Sequence, residues 1–386
     1  MIRQETTRSA AGVVDGRTGT VAPVPGRPKL DRRLAWALRV SCLLGLVALS
    51  ASASMAGTSR ATDLTARAPR ATETVPERAL TGLPPADPDA PGRIVTPDES
   101  VPNPFVLVDE GRYYLYASQV RFTGASIPVR VSDEIGRWDA PPIDALPVLP
   151  AWAAHGHTWA PDVRRLGDRY VMYMTARFGA GEPPTQCIGV AVADRPEGPF
   201  APLPDPLVCQ LDRHGSIDPR SFVDENGDLW LHWKSDDNAR EGSTTSSIYA
   251  QRLDAAGTSL QGEAVRILEV DQAWEGRIIE APQMVVLDGE HWLFYSGNWF
   301  NQPVYGLGIA HCEGPAGPCA KPFEGPWLGS NAQGSGPGEA SVFVDLEGAV
   351  WLAYAPWAQQ FETRNPRPVA LARIGLSPLG PYLAAS

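Results

Sequence analysis

Residues Val101–Ser118, VPNPFVLVDEGRYYLYAS, set two short apolar runs on either side of an Asp-Glu-Gly turn, the pattern of two antiparallel strands. The second run recurs as GDRYVMYMTA at Gly167, GDLWLHWKS at Gly227, GEHWLFYSG at Gly289 and GAVWLAYAPW at Gly348, at intervals of 56, 60, 62 and 59 residues. Each copy follows an inner-strand candidate (NPFVLVD, APDVRRL, IDPRSFVDE, EAPQMVVLD, EASVFVDLE). Each precedes a third strand (PVRVSDE, CIGVAVAD, SIYAQRLD, YGLGIAHC, PVALARIG). A unit of three or four antiparallel strands at this period is the size of a propeller blade. A β-sandwich also alternates, but it does not repeat at a fixed interval. The expected fold is therefore all-β, a five-bladed β-propeller over residues 93–386.

The front of the chain differs. Residues 1–56 hold eight Lys/Arg against three acids, so with a net charge of −11 over 386 residues the rest carries −16. A body that acidic repels a phosphate backbone, and nucleic-acid binding is not expected. Residues 1–33 form a basic n-region, and 34–56 (LAWALRVSCLLGLVALSASASMA) are the strongly apolar run. Ala51-Ser52-Ala53 near its end resembles a signal-peptidase site, so the run reads as a signal peptide or, uncleaved, as a membrane anchor. Either way the expected location is secreted or extracellular. Residues 57–92 carry six prolines and no aromatic residue, the composition of a disordered linker.

Apart from Cys42 in the export segment, four cysteines remain, as suits an oxidising compartment. Of three possible pairings, Cys187–Cys209 and Cys312–Cys319 each close a short loop within one repeat. His155 and His157 have the spacing of a metal pair, but no third ligand accompanies them, and a loop pair is the expectation.

In a propeller, equivalent inner-strand positions converge on one mouth. Here they read Asn103, Pro161 or Asp162, Asp218, Glu280 and Glu339. Gathered carboxyl groups are costly without a task, and paired carboxyls suit glycoside hydrolysis: one held protonated for the leaving oxygen, another ionised to activate water.

WAPDV (159–163), SIDPRSFVDENGDLWL (216–231), IEAPQMVVLDGEHWLFYSGNWF (279–300) and GPGEASVFVD (336–345) resemble glycoside hydrolase family 43. That family comprises five-bladed propellers which cleave arabinofuranosyl, xylosyl and related galactan linkages with inversion. The resemblance implies Glu280 as general acid and Asp218 as the residue that tunes and orients it. It places the general base at Asn103, an amide in this chain, and the family's fifth-blade histidine at Glu339. Three accounts of the amide stand: a sugar-binding module without turnover, a substitute base such as Glu339, or tolerance of a missing base. Phe105, Trp159 and Trp299 are candidate sugar-stacking walls, although each could be core, and Arg367 is a candidate substrate contact. No cofactor is required on this reading. A structural Ca2+ in the central channel is compatible with it, the partner is a carbohydrate, and the chain is expected to be a monomer.

Overall fold

The computed structural model describes residues 92–384, apart from 121–123, 180, 182, 241–243, 333, 359–361, 363 and 364. The expected n-region, signal or anchor, and nearly all of the linker lie outside the described residues. Among the described residues, no helix is long and apolar enough to cross a membrane.

Five antiparallel sheets follow one another along the chain. Blade one is β2 (Phe105–Asp109), β3 (Arg112–Tyr116), β4 (Pro128–Ser132) and β5 (Ile143–Asp144). Blade two is β6 (Ala153–Leu166), β7 (Arg169–Phe178), β8 (Gln186–Ala193) and β9 (Ala201–Pro202). Blade three is β10 (Ser216–Val223), β11 (Leu229–Ser235), β12 (Ser247–Leu253) and β13 (Leu260–Glu269). Blade four is β14 (Ile279–Leu287), β15 (Glu290–Gly297), β16 (Gly306–Cys312) and β17 (Cys319–Ala320). Blade five holds β18 (Ser335–Val344), β19 (Val350–Trp357) and β20 (Ala370–Ser377). The outer edge of β20 is shared. The first strand, β1 (Arg93–Ile94), pairs with Ala370 and Leu371, and the last, β21 (Gly380–Ala384), pairs with Arg373–Ser377.

The five inner strands, β2, β6, β10, β14 and β18, each touch the next, and β18 touches β2, so the ring closes. Alternation along the strands puts apolar side chains on both faces of each blade, and five apolar clusters fill the five joints. Blade one meets blade two through Tyr116, Ile127 and Met172, for example, and blade five through Leu115, Ala353 and Leu371. The hairpin turns far from the mouth carry a D-x-x-G-x-x-W lock in blades three and five. Asp224 accepts the N–H of Asn226 and Asp228 and the indole N–H of Trp230. Asp345 does the same for Glu347, Ala349 and Trp351.

Both expected disulfides are present, Cys187–Cys209 and Cys312–Cys319. The first ties β8 to the connector that leads into β10. His155 and His157 sit in β6 and not in a loop, and His157 packs edge-on against Trp159 at 6.2 Å. Among the described residues there is no cluster of three His, Cys, Asp or Glu fit to hold a metal.

Candidate active site

Four blades bend their inner strand at the mouth, blade one turns at Asn103 just ahead of β2, and these bends fix the site. Register shifts fall at Trp159/Asp162, Ile217/Arg220, Glu280/Gln283 and Gly338/Ser341. One residue in each bend has a left-handed backbone: Asn103 (φ 50), Ala160 (φ 47), Asp218 (φ 55), Ala281 (φ 49) and Glu339 (φ 59). Four of the five precede a proline, where that conformation is disfavoured, and strain of this kind persists only where the surroundings hold it.

The holding groups form a relay around the ring, in which each strained residue's N–H donates to a side-chain oxygen of the preceding blade. Ala160 donates to Ser118 Oγ (2.8 Å), Asp218 to Thr175 Oγ1 (3.0 Å) and Glu339 to Ser296 Oγ (2.8 Å). These three hydroxyls occupy one equivalent position of the second strand. In blades three and five that position is Lys234 and Ala355, and a mouth carboxylate takes over. Ala281 N–H donates to Asp218 Oδ2 (3.0 Å), and Asn103 N–H donates to Glu339 Oε2 (2.7 Å). Asp218 and Glu339 therefore do the same structural work.

This register corrects the alignment read from sequence. The equivalents of Asp218 are Asn103, Ala160, Ala281 and Glu339, and neither Pro161 nor Asp162 is among them. Glu280 stands one residue earlier, in line with Pro102, Trp159, Ile217 and Gly338. Its blade does not need its carboxylate to hold the next bend, which Ser296 holds instead.

A cavity of about 420 Å³ opens at the mouth, and Asn103, Trp159, Asp218, Glu280, Glu339 and Arg367 are among its walls. Trp299, 43% exposed, stands at its rim beside Phe300. Phe105 is a correction: it is buried beneath the mouth in the joint of blades one and two, and does not line the cavity. Its ring carries the guanidinium of Arg220, 4.8 Å away, which reaches across from blade three and donates to the Pro161 carbonyl (3.0 Å).

Glu280 accepts hydrogen bonds on both oxygens, from Tyr305 Oη to Oε1 (2.7 Å) and from Lys234 Nζ to Oε2 (3.2 Å). Tyr305 fits because Gly338 has no side chain: a Cβ there would lie 1.8 Å from the tyrosine ring. The loop ahead of Glu280 is anchored by fully buried Glu275, which meets Lys321 Nζ at 2.7 Å and accepts from Tyr295 Oη at 2.8 Å. Burial first, then the charges of Glu280 and Glu339, push the Asp218 carboxyl up to about 7, against the pull of Lys234 and the Ala281 N–H. Burial opposes charge on Lys234 too, but Asp236, Glu280 and Asp218 outweigh it and hold the ammonium protonated.

Glu339 is fully engaged, with Oε1 2.8 Å from Arg367 Nη1 and Oε2 on the Asn103 N–H. Arg367 is buried between the rings of Phe300, Tyr305 and Trp357. Asn103 accepts the Ser118 hydroxyl on Oδ1 (2.6 Å), which leaves its Nδ2, able only to donate, as the other end of the amide.

A calcium ion needs six to eight oxygen ligands. Beneath the mouth Arg220 lies on Phe105 with Asp162 Oδ1 3.9 Å away, and among the described residues no three His, Cys, Asp or Glu gather to hold such an ion.

The propeller, its acidic mouth and the motifs around it agree with a profile of the glycosyl hydrolases family 43, which matches residues 94–377. The chain belongs to that family. Among curated proteins, it is 41% identical over 75 residues to a xylosidase/arabinosidase 43A of Humicola insolens, which is 19% of this chain and 21% of that one. It is 27% identical over 261 residues to an extracellular endo-alpha-(1->5)-L-arabinanase of Thermotoga petrophila, 58% of this chain and 51% of the other. The match thus spans about half of that relative's length at most. Among solved structures, a thermostable family-43 glycoside hydrolase superposes with a TM-score of 0.65 at 26% identity, covering 75% of this chain and 96% of that one.

Within this family-43 propeller, sequence reasoning missed Lys234, Tyr305, Gly338, Arg220 and the hydroxyl relay. Only Lys234 carried a local signal, a lysine in a strand otherwise rich in Leu and Trp.

Proposed function

We propose that this protein is an extracellular glycoside hydrolase that cleaves arabinose- or xylose-containing polysaccharide with inversion, acting as a secreted or tethered monomer. The observation that carries this reading is the meeting of Asp218 and Glu280 in one cavity, with a raised proton affinity on Asp218 and tryptophan at the walls. In this reading the Asp218/Glu280 pair holds one proton, and Glu280, set by Tyr305, delivers it to the leaving oxygen. Trp159 and Trp299 receive sugar faces. The attacking water sits beside Asn103, whose amide orients it but takes no proton, so proton loss follows attack and turnover is slow.

The xylosidase/arabinosidase and arabinanase relatives support pentose-containing substrates over galactose. Asn103, together with the engaged oxygens of Glu339, favours a second reading, a carbohydrate-binding propeller without turnover. One experiment separates them. The full chain is incubated with aryl arabinofuranoside, aryl xyloside and arabinan, and the first-formed anomer is read by NMR. Inverted product that vanishes in Glu280→Gln supports the hydrolase. Absence of product with sugar binding retained in calorimetry supports the binding module.

A further inference from the structure

Among the described residues, Lys234 is the one lysine that lines the cavity, and it is 2% exposed. It occupies the position at which three other blades use a hydroxyl and the fourth an alanine, so the ring itself does not call for a cation there. The Asp218 carboxylate already holds the next bend in its stead. Its ammonium lies 3.2 Å from Glu280 Oε2 and 3.2 Å from Asp236 Oδ1, a bridge between the cavity wall and the loop after β11. Burying an ammonium is costly unless its partners are charged and close, so the site retains it for those two contacts.

We propose that Lys234 is a positioning residue for the reaction: it fixes the orientation of the Glu280 carboxylate and sets the upper pH at which the Asp218/Glu280 pair keeps its catalytic proton. The inference rests on the hydrolase reading for its kinetic consequence, but not for its electrostatic one.

Among the described residues, blades three, four and five supply the charged and titratable groups that face the pair. Blade three supplies Lys234, Asp236 and, below the mouth, Arg220. Blade four supplies Tyr305, which donates to Glu280. Blade five supplies Glu339, neutralised by Arg367. Among the described residues, Lys234 is thus the cation in direct contact with the pair, through Glu280. A positive charge at hydrogen-bond distance favours the ionised carboxylate, and its effect on a neighbouring acid amounts to about 1–3 pH units. Asp236 tempers it by sharing the ammonium. The three residues form a graded device in which Asp236 weakens Lys234 and Lys234 weakens the hold of the pair on its proton.

Two substitutions therefore act in opposite directions. Lys234→Gln removes the cation and moves loss of the shared proton to higher pH by about 1–3 units. Asp236→Asn frees the ammonium for Glu280 and moves it to lower pH. Lys234→Arg keeps the charge and returns the wild-type position. A merely structural role predicts no such opposed pair.

The test reads the protonated-carboxyl stretch by infrared titration of the full chain, with Glu280→Gln and Asp218→Asn to assign the bands. The alkaline limb of kcat/KM on an aryl pentoside is measured alongside. Opposite displacements in the two variants, in both readouts, support the inference. Coincident titrations of wild type, Lys234→Gln and Asp236→Asn overturn it. Should Lys234→Gln fail to fold, an unmoved Asp236→Asn titration overturns it alone. A wild type with no turnover overturns the hydrolase reading, while the infrared titration still decides the role of Lys234.

Discussion

The backbone N–H of Asn103 donates to the carboxylate of Glu339 across the joint at which the fifth blade meets the first. A residue placed by sequence as a substitute base is thereby part of the closure of the ring, with its remaining oxygen on Arg367. The Glu339→Gln variant leaves the Arg367 guanidinium buried without its counter-charge. Breaking such a pair costs about 3–5 kcal/mol. Urea unfolding is expected to register a loss of that order. A variant of unchanged midpoint whose turnover alone collapsed would instead mark Glu339 as the base.

Asn103 has a simpler test. Asn103→Asp keeps the left-handed backbone, which aspartate tolerates nearly as well as asparagine, and the new carboxylate accepts the same Ser118 hydroxyl. A positioned base contributes about 10²–10⁴ in rate. Steady-state kinetics on an aryl pentoside should show a gain in kcat of at least about tenfold. A flat response would mean that proton removal from water does not limit turnover.

Asp218 makes stability depend on pH in an unusual direction for a carboxyl. Its folded-state proton affinity, near 7, exceeds the unfolded value of about 4. The folded state therefore binds more protons in that window, and stability falls as pH rises. Its contribution is complete below about pH 4 and is lost as pH climbs through about 7. Urea midpoints measured from pH 4 to 8 should decline in wild type and flatten in Asp218→Asn. Parallel slopes would refute the assignment of this proton to Asp218.

The close approach of Gly338 and Tyr305 separates positioning from packing. Tyr305→Phe removes one hydrogen bond to a carboxylate, worth about 1.5–3 kcal/mol, so kcat/KM should drop about tenfold or more with the fold intact. Gly338→Ala must displace the ring, and should lose both that activity and stability. Equal effects of the two variants on stability would contradict this division.

Arg220 bears on cations. A guanidinium lodged over Phe105, with the Asp162 carboxylate 3.9 Å away, sets a charge pair beneath the mouth from within the chain. Chelation with EDTA should leave both the melting temperature and turnover unmoved, and added calcium should not raise either. A drop on chelation, reversed by calcium, would place an ion where the guanidinium is seen.

The blades were legible in sequence because a hairpin turn with apolar alternation repeats at a nearly constant interval, and that period survives extensive substitution. The cysteine pairing was legible for a related reason, since each pair closes a short loop inside a repeat. The offset of Glu280 was misread, although its signal was present. Asp218 directly precedes Pro219, whereas Glu280 stands two places before Pro282, so the bend falls on different members of the two motifs. Phe105 was misplaced because an aromatic residue near the mouth of a strand can point into the channel or into the cavity, and only the bend decides. The hydroxyl relay could not be read at all. Ser118, Thr175 and Ser296 are ordinary in composition, and their partners are backbone amides of another blade.

The shared edge of β20 has a consequence for how the molecule is made. Its innermost half is completed by Arg93 and Ile94 and its outer half by residues 380–384, so one sheet waits for both extremities of the domain. A nascent chain can assemble the early wedges as they emerge, but the seam stays open until translation has passed the last of them. The acidic mouth, whose walls come from the first and fifth wedges alike, therefore comes into being only once the fifth wedge has been made, and no fragment that lacks it carries the site.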